Sequence, residues 1–190
     1  MKGIFLDLET NGLDPYSHAP IEIACICVNL HDMSPIFEYS SFIKMSKREW
    51  AFRDLSSMLI NEIEFSDVLK APSAFSVGCK IIDLFVSNGV NRFNSVFICQ
   101  NPSFDRMFFT QIVGTDEQEK VEMPYHWFDL GSMAWMRYFA KHTKYIGYVV
   151  TLSKDNIARQ FGIPPEEKPH RAMNGVKHLM ECYKALVQFS

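Results

Sequence analysis

The segment Phe5-Leu6-Asp7-Leu8-Glu9-Thr10-Asn11-Gly12 sets two carboxylates two residues apart at the end of an apolar run. In a strand, residues i and i+2 face the same side, so Asp7 and Glu9 would project together, roughly 6 to 7 Å apart. Like charges at that spacing repel unless a cation lies between them. Mg²⁺ suits the place, because it takes carboxylate oxygens and keeps waters that a phosphate can replace. The spacing points to a metal site on a strand end. A third acid, Asp105, follows the apolar run Ser95-Val96-Phe97-Ile98-Cys99, and His170 stands just ahead of the last helical segment. Each has a plainer reading when taken alone: a solvated strand end, an acid meeting a helix dipole in its first turn, a surface histidine. Their order along the chain gives them weight together.

The elements that must position these residues can be read from periodicity. Alternation predicts strands over 2–9, 21–30 and 36–45, joined by turns rich in Gly, Pro, Asn and Asp. The short connections favour an antiparallel meander. Apolar residues at helical spacing predict a helix from Ser73 to Ser87, stopped at Asn88-Gly89, and residues 95–99 read as a buried strand. Pro102 keeps Asn101 out of the helical region, and Ser103 is the expected cap of a helix that begins near Phe104. The acidic stretch from Thr115 to Glu122 reads as a surface loop. Further helices are expected over 130–141, over 152–161 between Ser153 and Gly162, and over 171–188, with a Pro-rich charged connection from Ile163 to Pro169. Strands first and then helices interleaved with strands give an α/β fold, a mixed sheet flanked by helices.

With 190 residues, 47% hydrophobic and 22% charged, the chain suits a single domain over 1–190 with a sizeable core. The N-terminus reaches its charged strand too soon for the apolar stretch of a signal peptide, and no run approaches the roughly 20 apolar residues of a membrane span. A soluble cytoplasmic protein with no membrane partner is expected. Five cysteines, an odd number with no CxxC pair, fit free thiols better than zinc or a disulfide framework. The net charge of −3 argues against broad nonspecific binding to a phosphate backbone, although acids that hold cations make net charge a poor guide here. Lys44, Lys47, Arg48 and Arg53, and then Arg137, Lys141 and Lys144, could form a local basic face, and each cluster reads as readily as a solvated helix face.

The chain resembles the DEDD-type 3′-to-5′ exonucleases of the histidine-containing (DEDDh) class, which includes polymerase proofreading subunits, oligoribonucleases and RNase T-like enzymes. Phe5 to Leu13 is close to the family's D-x-E-T-x-G, Gln100-Asn101-Pro102-Ser103-Phe104-Asp105 is like its N-x-x-F-D after a strand, and His170-Arg171-Ala172 is like its H-x-A before a terminal helix. Lys70-Ala71-Pro72 stands where the family often has A-P before its central helix. The resemblance implies a ribonuclease H-like fold, with an antiparallel meander joined to parallel strands. It also implies 3′-to-5′ hydrolysis of single-stranded DNA or RNA ends to nucleoside 5′-monophosphates, with two divalent cations, Mg²⁺ or Mn²⁺. By that resemblance Asp7 bridges both cations, Glu9 binds the one that activates water, Asp105 helps to hold the second, and His170 is the general base. The cations stabilise the attacking hydroxide and the leaving 3′ oxygen, and a histidine titrates near working pH. Thr10 and Gly12 would lie against the terminal nucleotide, with Asn101 a polar neighbour. A homodimer is compatible with the family. The chain ends about twenty residues after His170, which favours a free-standing exonuclease over a subunit stably held by a polymerase.

One position departs from the pattern. The family has an aspartate five residues after the histidine, and here that residue is Gly175. Asn174 is turned about 100° away on a helix, while His178, one turn on, could contribute a nitrogen. A helical glycine costs about 1 kcal/mol relative to alanine, so propensity does not account for it. Four explanations stay open: an enzyme whose metal site is weakened, with one cation held poorly or Mn²⁺ preferred; a catalytically inactive protein that still binds nucleic acid; a disabled variant of an active parent; or deamidation of Asn174 supplying the acid. A structural domain without nucleic acid is the reading from a different class. The phenylalanines are expected mostly in the core, Phe104 and Phe108 among them, while Tyr16 and His18 are better placed to meet a substrate.

Overall fold

The computed structural model describes residues 1–141 and 151–187. Strand β1 (Lys2–Thr10) pairs antiparallel with β2 (Pro20–Asn29), which pairs antiparallel with β3 (Pro35–Phe42). On its other side β1 runs parallel to β4 (Ser95–Cys99), which is parallel to β5 (Trp127–Asp129). The sheet order β3-β2-β1-β4-β5 puts β1 in the centre, so the strand with the paired acids is flanked on both sides. The expected mixed sheet of a meander plus parallel strands is what forms. β5 was not foreseen, because three residues are too few to show a period.

The period-2 pattern of β1 decides what faces what. Ile4, Leu6 and Leu8 pack on one face of the sheet with Val77, Ile81 and Phe85 of α4 (Ala74–Ser87) and Phe108 and Phe109 of α5 (Pro102–Phe109). Phe5 points to the opposite face, against Ala172, Val176 and Leu179 of α9 (Ala172–Val187) and Ile157 of α8 (Lys154–Gln160), and α7 (Leu130–Lys141) also covers this side. Asp7 and Glu9 share the parity of Phe5 and so project toward α8 and α9. A smaller core of Ile21, Met45, Ile63 and Val68 lies under α1 (Lys47–Ala51), α2 (Leu55–Asn61) and α3 (Phe65–Leu69), three short helices with no counterpart in the sequence reading.

Two local expectations are corrected. Residues 115–120 form a helix, α6 (Thr115–Lys120), with Asp116 and Glu117 in its first turn, where acids favour the helix dipole, and with no buried residue to reveal a period. Helix α5 starts at Pro102, and its cap is Asn101 in the left-handed region at φ 57°, not Ser103. Proline suits a first helical position because its missing N–H would have no intrahelical partner there. The remaining caps follow the sequence: Ser73 and Ser153 accept hydrogen bonds from the N–H groups of Ser76 and Asn156. Among the described residues no helix is long and apolar enough to cross a membrane.

Candidate active site

Three acids gather where parallel strands end, the place where α/β sheets open a crevice for ligands. Asp7 and Glu9 come from the carboxyl end of β1. Asp105 comes from the first turn of α5, just beyond β4, and is 4% exposed. The loop that delivers it is tied down: the Asn101 N–H donates to Asp129 Oδ1 at 3.1 Å, and the Asn101 side chain accepts from Ser103 Oγ at 2.7 Å.

The acids act on one another. Asp7 is pushed up to about 7, first by burial and then by Glu166 and Glu22, with Lys154 opposing. Glu9 is pushed up to about 8 by burial and by Asp7, Glu22 and Glu166. Burial and the Asp7 charge also raise Asp105 well above the usual carboxylate range. Burial is the leading cause for all three, and the neighbouring carboxylates add to it, so these are poorly solvated acids that also repel one another.

The positive charge that is present belongs to a residue the sequence reading missed. Lys154, the first residue of α8, has Nζ 2.7 Å from Glu166 Oε2 and 3.9 Å from Asp7 Oδ1, and it opposes the raised values of Asp7, Glu9 and Asp105. Burial would lower the Lys154 ammonium, but Asp7 and Glu166 outweigh it and hold it above its ordinary value. Glu166 lies in the Pro-rich connection after α8. Its N–H donates to Asp155 Oδ1 at 3.1 Å, which folds the connection back on the start of that helix. Its Oε1 is buried with no hydrogen-bond donor among the described residues, 3.7 Å from His170 Nδ1.

His170 is placed by its backbone, not by a tight side-chain bond. Its N–H donates to the Ile60 carbonyl at 3.2 Å, and the next residue is clamped: Arg171 Nε and Nη2 each meet a Glu22 oxygen at 3.0 Å, while the Ala172 N–H donates to Glu22 Oε2 at 3.1 Å. Glu22 sits opposite Glu9 in the β1–β2 register, so the clamp ties the start of α9 to the strand pair that carries the acids. An acid inside the apolar run 21–28 was the signal available for Glu22. Lys154 and Glu166 carried none, since only tertiary packing brings them to β1.

Gly175 faces Asp7 directly. A Cβ there would stand 1.9 Å from Asp7 Oδ2 and 3.1 Å from Lys154 Nζ, so Asp7 and Lys154 already occupy the room that a side chain at 175 would need. Of His178, one turn on, Nε2 donates to the Pro164 carbonyl at 2.8 Å, while Nδ1 has no hydrogen-bond partner among the described residues. The Thr10 hydroxyl donates to the Gly12 carbonyl at 2.7 Å, shaping the turn after the acids. Gly12 itself is packed by the His18 ring, which a Cβ would meet at 2.2 Å. Tyr16 and His18 line a cleft of about 360 Å³ with Asn11, Glu49 and Gln111. Phe104 and Phe108 lie against one another at 4.9 Å and join the core, as expected. Of the basic clusters, Lys44, Lys47 and Arg48 are exposed, but Arg53 folds over Trp50, and Arg137 binds the Ala185 and Leu186 carbonyls. Lys141 ends α7, and Lys144 lies outside the described residues.

The donor set is all carboxylate, which suits a hard cation such as Mg²⁺ or Mn²⁺, and the unpartnered Glu166 oxygen with the raised acids fits an added positive charge. Among the described residues no three His, Cys, Asp or Glu side chains close to ligand spacing. Asp7 and Glu166 face the Lys154 ammonium instead.

No family model and no curated protein matches the chain. Solved structures do. Exonuclease I of E. coli in complex with a dT13 oligonucleotide superposes with a TM-score of 0.73 at 17% identity, over 98% of this chain and 41% of that one. The cell-death related nuclease CRN-4 gives 0.73 at 11% identity, over 98% and 63%. A full-length 3′-exonuclease gives 0.74 at 14% identity, over 98% and 60%. The chain thus spans less than two thirds of each of these structures, and its mixed sheet flanked by helices is the ribonuclease H-like fold found in these nucleases.

Proposed function

We propose that the chain is a metal-dependent 3′-to-5′ exonuclease, a single domain over 1–190 that releases nucleoside 5′-monophosphates from single-stranded DNA or RNA ends. The observation that carries this reading is the cluster of Asp7, Glu9 and Asp105 at the ends of β1 and β4, with His170 held just before α9 and facing Glu166. Asp7, Glu9 and Asp105 would hold Mg²⁺ or Mn²⁺. Cations bound there supply positive charge against the scissile phosphate and the leaving 3′ oxygen. His170 takes the proton of the attacking water at Nε2, because its Nδ1 faces Glu166 Oε1. The turn from Thr10 to Gly12 and the neighbouring Asn101 would seat the terminal nucleotide. Five free cysteines agree with a reducing compartment such as the cytoplasm.

Gly175 and the lysine among the acids favour a second reading, a protein that binds single strands without cutting them. Chromatography of the products separates the two. An exonuclease yields nucleoside 5′-monophosphates that need Mg²⁺ or Mn²⁺ and vanish in Asp7→Ala, whereas a binder retards an oligonucleotide and leaves its length unchanged.

A further inference from the structure

A lysine at the centre of an acidic site calls for a reason. Lys154 Nζ lies between Glu166 Oε2 at 2.7 Å and Asp7 Oδ1 at 3.9 Å, with the Gly175 carbonyl oxygen at 3.4 Å. The Lys154 and Glu166 side chains are only 13% and 2% exposed, so this is not a solvated surface pair. The same ammonium stands 3.1 Å from the position of a Cβ on residue 175, inside the space an aspartate there would use. Lys154, Glu166 and Gly175 therefore form one arrangement: Glu166, from the connection after α8, brings a carboxylate to the ammonium, and the ammonium stands in the room that Gly175 leaves.

We propose that the Lys154 ammonium takes the place of one of the two divalent cations, anchored by Glu166 and Asp7, so that the centre binds a single divalent cation. A divalent ion bridging the same Asp7 and Glu166 oxygens would stand within a few ångströms of a fixed ammonium, where like charges repel strongly in a poorly solvated site. Glu9 and Asp105, which form no ion pair with the ammonium among the described residues, are the acids left for the one ion. This deepens the metal-dependent reading and rests on it.

The test is a count of bound Mn²⁺ per chain, by equilibrium dialysis and by electron paramagnetic resonance, on the full chain with saturating thymidine 5′-monophosphate. The proposal expects one Mn²⁺ for the unmodified chain and for Lys154→Arg, which keeps the charge, and two for Lys154→Met. Two in the unmodified chain would overturn it while leaving metal dependence intact, as would one in both the unmodified chain and a folded Lys154→Met. No Mn²⁺ in the unmodified chain would overturn this proposal and the metal-dependent reading together. Should Lys154→Met fail to fold, the count in the unmodified chain and in Lys154→Arg still decides, two ions refuting the proposal.

Discussion

Asp7 occupies the volume that a side chain on Gly175 would need, with Oδ2 1.9 Å from where that Cβ would stand. The glycine is required by this contact, since its backbone is ordinary helix and its N–H donates to the Arg171 carbonyl at 2.9 Å. Helix propensity alone predicts that Gly175→Ala stabilises α9 by about 1 kcal/mol. The packing predicts the opposite sign, a loss of about 1–3 kcal/mol as Asp7 is forced aside, together with a fall in any nuclease activity. Chemical denaturation of the two proteins decides between them. Gly175→Asp meets the same obstacle, so it is expected to lower stability and not to raise activity.

The raised acids set the pH response of the cation-free protein. Asp7 moves from 3.8 to about 7 and Glu9 from 4.5 to about 8. Between about pH 4 and pH 8 the folded chain therefore keeps protons that the unfolded chain has lost, and stability must fall as pH rises through that window. In a chelating buffer Tm should drop from pH 5 to pH 8.5. Mn²⁺ should restore it, and more so at the higher pH, because it binds the folded carboxylates. Asp7→Asn should flatten the slope, whereas a Tm that climbs over this range in chelator would refute the reading of these acids.

Glu22 and Arg171 join β2 to the start of α9 through two 3.0 Å bonds and a third from the Ala172 N–H. Breaking a buried pair of this kind costs about 3–5 kcal/mol, and the partial exposure of Arg171 reduces that to about 2 kcal/mol. For a chain of this size Glu22→Gln should lower Tm by roughly 4–8 °C, measurable by calorimetry. Because the clamp sets the place of His170, activity at a temperature where the variant is still folded should fall as well.

The side chain of His170, the proposed general base, contributes little to the fold, since it is 32% exposed and stands 3.7 Å from Glu166 Oε1. His170→Ala should reduce hydrolysis by about 10²–10⁴-fold, the usual contribution of a general base. Mn²⁺ binding and Tm should change little. A variant that loses cation binding along with activity would assign His170 to holding the site together.

The strand that carries the paired acids, helix α4 and the approach to Asp105 were legible because each has a short-range signature: alternation in β1, a cap and period in α4, and a buried strand followed by Pro102 ahead of Asp105. The elements missed lacked one. β5 is three residues long, α1 to α3 are five to seven residues each, and α6 is charged on every side. The larger omission is in the site. Lys154 looked like any lysine in a first helical turn and Glu166 like any acid in a Pro-rich connection. Their meaning comes from α8 and its following loop packing against β1, a relation that spans about 150 residues of chain. Nor could the sequence show that the loop carbonyl of Pro164 engages Nε2 of His178.

The central claim, a metal-dependent 3′-to-5′ exonuclease, is tested most directly by a gel time course on 5′-labelled single-stranded DNA and RNA in Mg²⁺, in Mn²⁺ and in chelator, with Asp7→Ala alongside. The account predicts a ladder that shortens one nucleotide at a time from the 3′ end, requires the cation and is abolished by Asp7→Ala. An oligonucleotide that stays full length in both metals, or a ladder that persists in Asp7→Ala, would contradict it.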